Sequence, residues 1–302
     1  MFSLPKTATI IEVGPRDGLQ NEKNEVPTDA KLRFIGALQD AGVREMEVTS
    51  FVSPKWVPQM GDAASVMENV KREGRQFVLA PNARGIENAK TSGADSIAVF
   101  VGVTDSFNKR NINRTTAESM EGLAPQIRQL KEDGLFVRAC ISTAFHCPFE
   151  GPVDPDQTLA LCRQFADLGV DELSVADTIG MADPAESYRL FSRLKEELPD
   201  VLLTAHFHDT RKMALANILA SLQAGIDRFD TSAGGLGGCP FAPGATGNVA
   251  TEDVVYMLER MGIGTGISVE GICRAVDEVT AFVSRPITSG MYTLHQNHSQ
   301  QD

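Results

Sequence analysis

Four times in this chain a helical stretch runs into a glycine and then at once into a short alternating strand. Ala41-Gly42-Val43 leads into Arg44-Glu45-Met46-Glu47-Val48, and Ser92-Gly93-Ala94 into Asp95-Ser96-Ile97-Ala98-Val99. Leu168-Gly169-Val170 leads into Asp171-Glu172-Leu173-Ser174-Val175, and Ala224-Gly225-Ile226 into Asp227-Arg228-Phe229-Asp230. Gly134-Leu135-Phe136-Val137-Arg138 is a looser fifth copy. A glycine in this place suits the left-handed position that closes a helix, where a Cβ is costly. Strands joined through helices pair in parallel. Segments 8–13, 76–79 and 202–206 bring the strand total to eight, which predicts an α/β fold, a closed (β/α)8 TIM barrel. A doubly wound open sheet is the alternative, but its dinucleotide-binding form needs a G-x-G-x-x-G turn that does not follow the first strand. Helical periodicity covers 29–41, 118–133, 155–168, 184–197, 212–224 and 252–261. One more helix, about 269–283, makes a C-terminal helical extension, and the polar tail 294–302 is expected to fray. No linker or composition shift marks a second domain. The expectation is one catalytic barrel domain over 1–302, the last helix and tail occupying about 267–302.

In such a barrel the active site lies at the C-terminal ends of the strands, and polar residues collect there. Strand one runs into Glu12-Val13-Gly14-Pro15-Arg16-Asp17-Gly18, and strand two carries Glu47 on the face opposite Met46 and Val48. Strand six ends in Ser174-Val175-Ala176-Asp177-Thr178. Strand eight carries Asp230 and continues through Gly234-Gly235-Leu236-Gly237-Gly238-Cys239-Pro240 to Gly244, Gly247 and Asn248. Strand seven ends in His206-Phe207-His208-Asp209. Residues two apart on a strand share a face, so both imidazoles project together while Phe207 packs on the other side. Alone, H-x-H fits either two hydrogen-bonded core histidines or a pair of metal ligands. Asp17 at another strand end favours the metal: one carboxylate and two imidazoles leave coordination positions open, as catalysis requires. Asn248 could add a carbonyl oxygen. Donor softness alone would allow Zn2+ or non-haem Fe2+.

Three segments carry a resemblance. Val13-Gly14-Pro15-Arg16-Asp17-Gly18-Leu19-Gln20-Asn21-Glu22 resembles the first-strand signature of the hydroxymethylglutaryl-CoA lyase family, as does Ser50-Phe51-Val52-Ser53-Pro54-Lys55-Trp56-Val57-Pro58-Gln59-Met60 after strand two. The run from Gly235 through Cys239-Pro240 to Gly247-Asn248 is similar to that family's catalytic loop. The likeness extends from about Ala8 to Gly262. It implies cleavage of 3-hydroxy-3-methylglutaryl-CoA to acetyl-CoA and acetoacetate, with Mg2+ or Mn2+ as cofactor. It also implies Asp17, His206, His208 and Asn248 as metal ligands, Arg16, Asp177 and Cys239 as catalytic residues, and Glu47 as an active-site acid. Arg16 suits the thioester oxygen where negative charge develops. Asp177 and His206 are both candidates for moving protons. Cys239, in a glycine-rich loop expected to be mobile, would close over the site and deliver a proton to the enolate. Lys109, Arg110 and Asn111 lie in a stretch similar to the family's K-N-I-N segment, where they would meet CoA phosphates or form a solvated basic turn.

The chain departs from the family pattern at Cys140, where a tyrosine is usual, at His146, at Phe149 and Phe241, which replace tyrosines, and at Arg211-Lys212-Met213. These departures bear on the acyl pocket and open a second reading, a lyase for a related, bulkier acyl-CoA. A Claisen-type synthase or 2-oxo-acid aldolase of the same barrel group fits the Cys239 segment less well. A non-catalytic metal-binding protein would not need the full set of polar strand ends. A net charge of −12 over 302 residues argues against nucleic acid or an anionic membrane as partner. No apolar run is long enough to span a bilayer, and the N-terminus lacks a signal-peptide core. Five cysteines without a C-x-x-C spacing suggest reduced thiols and the cytoplasm. The expected partners are an acyl-CoA substrate and further copies of the chain in a homo-oligomer, such as a dimer.

Overall fold

The computed structural model describes residues 4–238 and 247–299. Eight parallel strands close into a barrel in which each pairs with its neighbours in sequence, and the last pairs with the first. They are β1 (Thr9–Glu12), β2 (Glu45–Ser50), β3 (Arg75–Leu79), β4 (Ser96–Gly102), β5 (Phe136–Ser142), β6 (Glu172–Asp177), β7 (Leu202–Phe207) and β8 (Arg228–Thr231). The helices are α1 (Thr28–Asp40), α2 (Ala63–Asn69), α3 (Ala83–Thr91), α4 (Asp105–Ile112), α5 (Thr116–Glu132), α6 (Pro155–Asp167), α7 (Pro184–Glu197), α8 (Ala214–Gln223), α9 (Thr251–Arg260), α10 (Val269–Thr280) and α11 (Gly290–Ser299). The expected barrel is present. All five repeat glycines have positive φ, from +77° at Gly93 and Gly134 to +106° at Gly42. Reciprocal capping boxes start two of the helices, Thr115 with Glu118 at α5 and Asp183 with Glu186 at α7. Among the described residues no helix is long and apolar enough to cross a membrane.

Strand alternation sorts the side chains into two compartments. Outward residues such as Val48, Val99, Ile141, Val175, Phe207 and Phe229 join the helices in the main core. The barrel interior holds a small apolar cluster of Ile11, Val13 and Phe77, with Phe136 packed edge-on to Phe77. Around it runs a network of charge. Arg138 has no solvent exposure and meets Glu47, Glu172 and Asp230, while Arg228 meets Glu45 and Glu172. Thr204 Oγ1 donates to Glu172 at 2.5 Å. Charges taken out of water must be paired and hydrogen-bonded. A charged interior where barrels usually stack branched aliphatics is therefore a sign of a function near the mouth.

One expectation is corrected. The tail is helical rather than frayed as far as it is described. α11 is capped from α9, whose Asp253 carboxylate accepts from Gly290 N, Met291 N and Ser289 Oγ, and Tyr292 Oη donates to Asp277. The cap lies far away in sequence, so no local signal announced it. Lys109, Arg110 and Asn111 form the solvent-exposed last turn of α4.

Candidate active site

A cavity of about 990 Å3 opens at the C-terminal end of the barrel, lined by Arg16, Asp17, Glu47, Cys140, His206, His208 and Asp230 among others. β1 delivers the first two. The chain leaves it in a single π-helical turn, Gly14–Gly18, in which Asp17 N and Gly18 N both donate to Val13 O. Gly14 has no room for a side chain, because a Cβ would stand 2.6 Å from Glu12 Oε1. β2 delivers Glu47, whose neighbours Met46 and Val48 are buried on the outer face. β7 delivers the histidines as the alternation requires. Phe207 points outward against Phe145 and Phe191, and the two imidazole centroids lie 5.3 Å apart. Asn248 comes from a distant segment that inserts beside β7. Asn248 bridges to His208, Val249 N donates to Phe207 O, and Ser232 N donates to Val249 O.

One ligand atom from each of Asp17, His206 and His208 lies within 4.8 Å of the others. Arg16 Nη1 donates to Asp17 Oδ1 at 2.7 Å, and Asn248 Nδ2 donates to Asp17 Oδ2 at 2.8 Å and to Leu236 O at 3.0 Å. That leaves Asn248 Oδ1 as the atom available to a cation. Arg16 Nε also donates to Glu47 Oε2 at 2.6 Å. Burial opposes ionisation of Asp17, but Arg16, both histidines and Asn248 outweigh it and hold the carboxyl below its usual range. Burial and the neighbouring His206 push His208 down to about 4, so its ring is neutral at pH 7, as a ligand must be. Burial also works against charge on His206, but Asp230 at 3.0 Å from Nδ1 raises it.

The site fits a divalent cation on three counts. One carboxylate and two imidazoles converge, with an amide oxygen beside them. His208 Nδ1 is buried with no hydrogen-bond partner among the described residues. In the linked interior network of the described residues, the carboxylates Asp17, Glu45, Glu47, Glu172 and Asp230 outnumber the guanidinium groups of Arg16, Arg138 and Arg228 by two, and with His206 neutral a divalent cation offsets that excess.

The structure brings Arg16, Asp17, Glu47, His206, His208 and Asn248 together, and sets Lys109, Arg110 and Asn111 on the wall of the same cavity. It does not bring Asp177. Ser174 and Ala176 face the cavity, so Asp177 faces outward, and its carboxylate accepts from Met181 N at 3.0 Å and Ala182 N at 2.9 Å. Burial raises its pKa, but the group is spent on shaping the turn after β6. Cys239 lies outside the described residues, as does Phe241. Cys140 lines the cavity as expected, with Sγ 4.0 Å from Glu47 Oε1. His146 bonds Glu186 instead, Arg211 donates to Ile179 O and Gly180 O, and Met213 is partly exposed, so none of these fills the space beside Cys140. Arg138 is the residue that reading the sequence missed. Nothing local marks a strand arginine as the hub of three carboxylates 34 to 92 positions away.

Comparison with known proteins follows the same lines. The HMGL-like family model matches residues 7–279. The chain is 44% identical over 287 residues to hydroxymethylglutaryl-CoA lyase YngG of Bacillus subtilis, covering 94% of this chain and 96% of that one. It is similar to the crystal structure of hydroxymethylglutaryl-CoA lyase from Pseudomonas aeruginosa, with TM-score 0.94, 41% identity and 98% and 99% of the two chains covered. It is also similar to an HMG-CoA lyase from Acinetobacter baumannii in complex with coenzyme A and 3-methylmalate, with TM-score 0.91, 35% identity and 97% and 96% covered.

Proposed function

We propose, because this chain belongs to the HMGL-like family, that it cleaves 3-hydroxy-3-methylglutaryl-CoA to acetyl-CoA and acetoacetate. The observation that carries this reading is the convergence of Asp17, His206 and His208 beside the Arg16–Glu47 pair in one cavity at the barrel mouth. In the reaction the C3 hydroxyl loses its proton, the C2–C3 bond breaks, C3 becomes the ketone of acetoacetate, and the electron pair goes to the thioester enolate. That enolate then takes a proton at C2. Asp17, His206, His208 and Asn248 Oδ1 would hold a divalent cation; the two imidazoles do not select it, and the family resemblance assigns Mg2+ or Mn2+. When bound, such a cation supplies Lewis acidity toward the hydroxyl and anchors the substrate's oxygens.

The chain's own residues divide the remaining work. Arg16 is clamped by Glu47 and Asp17, so its charge is fixed in place for the thioester oxygen before substrate arrives. His206 spends Nδ1 on Asp230. One nitrogen remains, and it cannot both ligate and carry a proton, so we assign the ligand role. With Asp177 turned away, the acceptor for the hydroxyl proton is Glu47. Its Oε1 is the loosely held oxygen, 3.4 Å from Arg138 Nη1 and 4.0 Å from Cys140 Sγ. Cys239 remains the proposed donor to the enolate, and Lys109, Arg110 and Asn111 the proposed contacts for CoA phosphates. The four cysteines among the described residues are unpaired, which suits a reducing compartment, and we propose the cytoplasm.

Small side chains on two adjacent strands, Cys140 and Ser142 on β5 and Ser174 and Ala176 on β6, line the cavity. They favour a second reading, acceptance of a substrate whose C3 chain is longer than methyl. Steady-state release of acetyl-CoA with Mg2+ from a panel of 3-hydroxyacyl-CoAs tests both. The first reading predicts the methyl compound as best substrate. A longer-chain thioester with kcat/KM about tenfold higher, about 1.4 kcal/mol, selects the second, and no release from any of them removes both.

A further inference from the structure

His206 is held from behind. Its Nδ1 lies 3.0 Å from Asp230 Oδ2, an oxygen that also accepts from Ser174 Oγ at 2.7 Å. The other oxygen, Oδ1, is taken by Arg138 Nη2. The Asp230 side chain is 2% exposed and that of Arg138 not at all, so no water competes for these bonds. Arginine only donates, and a carboxylate flanked by a guanidinium and a hydroxyl only accepts. The atom facing Asp230 Oδ2 is therefore an N–H, which in the neutral ring leaves Nε2 of His206 with its lone pair free. Among the described residues His208 Nδ1, on its neighbour, has no hydrogen-bond partner.

We propose that Asp230, locked by Arg138 and Ser174, is a positioning residue that fixes the tautomer and ring orientation of His206 and so presents Nε2 to a divalent cation. The inference rests on the metal reading of the triad. Asp230 borders the cavity, but three of its acceptor sites are taken by Arg138, Ser174 and His206, so its role runs through His206.

The lock makes an uncommon demand on an asparagine substitution. In Asp230→Asn the amide oxygen must turn to Arg138, a donor with no acceptor, which aims the NH2 at His206 Nδ1. The ring then accepts at Nδ1 and carries its proton on Nε2, the atom that should bind metal. Asp230→Ala removes the support but imposes no wrong tautomer. Asparagine, the near-isostere, is expected to be at least as damaging as alanine.

The test is Mn2+ titration of the purified full chain, following free Mn2+ by electron paramagnetic resonance, with thermal unfolding to confirm that each variant is folded. Expected are dissociation constants about 10- to 100-fold weaker for Asp230→Asn and Asp230→Ala, as for lost support of metal ligands elsewhere, and a smaller change for Ser174→Ala. Wild-type Mn2+ affinity in folded Asp230→Asn would overturn the proposal while leaving the triad reading intact. A wild-type chain that binds no Mn2+ would overturn the triad reading and this proposal with it. Long-range 1H–15N spectra of the histidines at about pH 8.5, where free imidazole is neutral, decide the matter even if the variants fail to fold. A neutral His206 protonated on Nδ1 in the metal-free wild type supports the lock, and one protonated on Nε2 alone refutes it.

Discussion

Replacing Gly42 and Gly134 by alanine separates what the repeat demands from what the tertiary structure adds. Both residues close a helix and precede a strand, at φ +106° and +77°. Each substitution therefore carries the left-handed penalty for a Cβ, about 1–2 kcal/mol. At Gly134 nothing lies within 4 Å of the added atom. At Gly42 the same atom would stand 2.3 Å from Gly266 O and 3.3 Å from Ile267 Cα, both backbone, in the segment that ties α10 to α1 through Ser268 N and Ala41 O at 2.8 Å. That backbone must move by most of an ångström, and overpacking of this kind adds about 1–3 kcal/mol. The expectation is a loss of about 1–2 kcal/mol for Gly134→Ala and about 2–5 kcal/mol for Gly42→Ala, against a typical total stability of about 5–15 kcal/mol. Urea unfolding followed by far-ultraviolet circular dichroism gives both values, provided the slope with denaturant is unchanged. Equal losses at the two sites would refute the claim that the 264–268 segment is what makes Gly42 special.

Four further outcomes are expected. Arg16→Gln should lower kcat by about 100-fold or more with a smaller effect on KM, because its charge acts where negative charge develops; a KM effect alone would recast it as a binding residue. His208→Ala should abolish acetyl-CoA release and weaken Mn2+ binding measured by calorimetry, and unchanged binding would remove it from the ligand set. Cys140→Phe, filling the gap beside Glu47, should reduce activity on a longer C3 chain more than on the methyl compound, by about 1–3 kcal/mol per methylene excluded; equal losses would place Cys140 away from the substituent. Burial lifts the Glu252 carboxyl from 4.5 to about 7. The folded chain thus holds that proton to higher pH than the unfolded chain. Its stabilising contribution is complete below about pH 4.5 and lost as pH rises through 7. Glu252→Gln cannot ionise, so between about pH 5.5 and 8 the wild type should lose about 2 kcal/mol relative to it, and parallel stability curves would contradict this.

Much of the site could be read in the sequence because strand parity is a local rule. His206 and His208 share a face because one residue separates them, and Glu47 points inward because Met46 and Val48 are apolar. The same parity, applied to Ser174, Ala176 and Asp177, turns Asp177 outward. The resemblance suggested a catalytic role there, and the alternation that was legible at Glu47 argues against it.

What the sequence determined by itself is the barrel: the helix–glycine–strand repeat, the alternation within each strand, and the polar strand ends that the closed sheet collects at one mouth. These depend on residues a few positions apart, whose periodicity carries the information. Only the tertiary structure decided which charges meet. Arg138 on β5 joins Asp230 on β8, Asn248 reaches Asp17 across 231 positions, and Asp253 caps a helix that begins 37 residues later. Ion pairing depends on distance in space and on exclusion of water, neither of which is written in the spacing of residues along the chain. The strand ends say where the chemistry sits, and closure of the barrel selects the partners that hold each group in place.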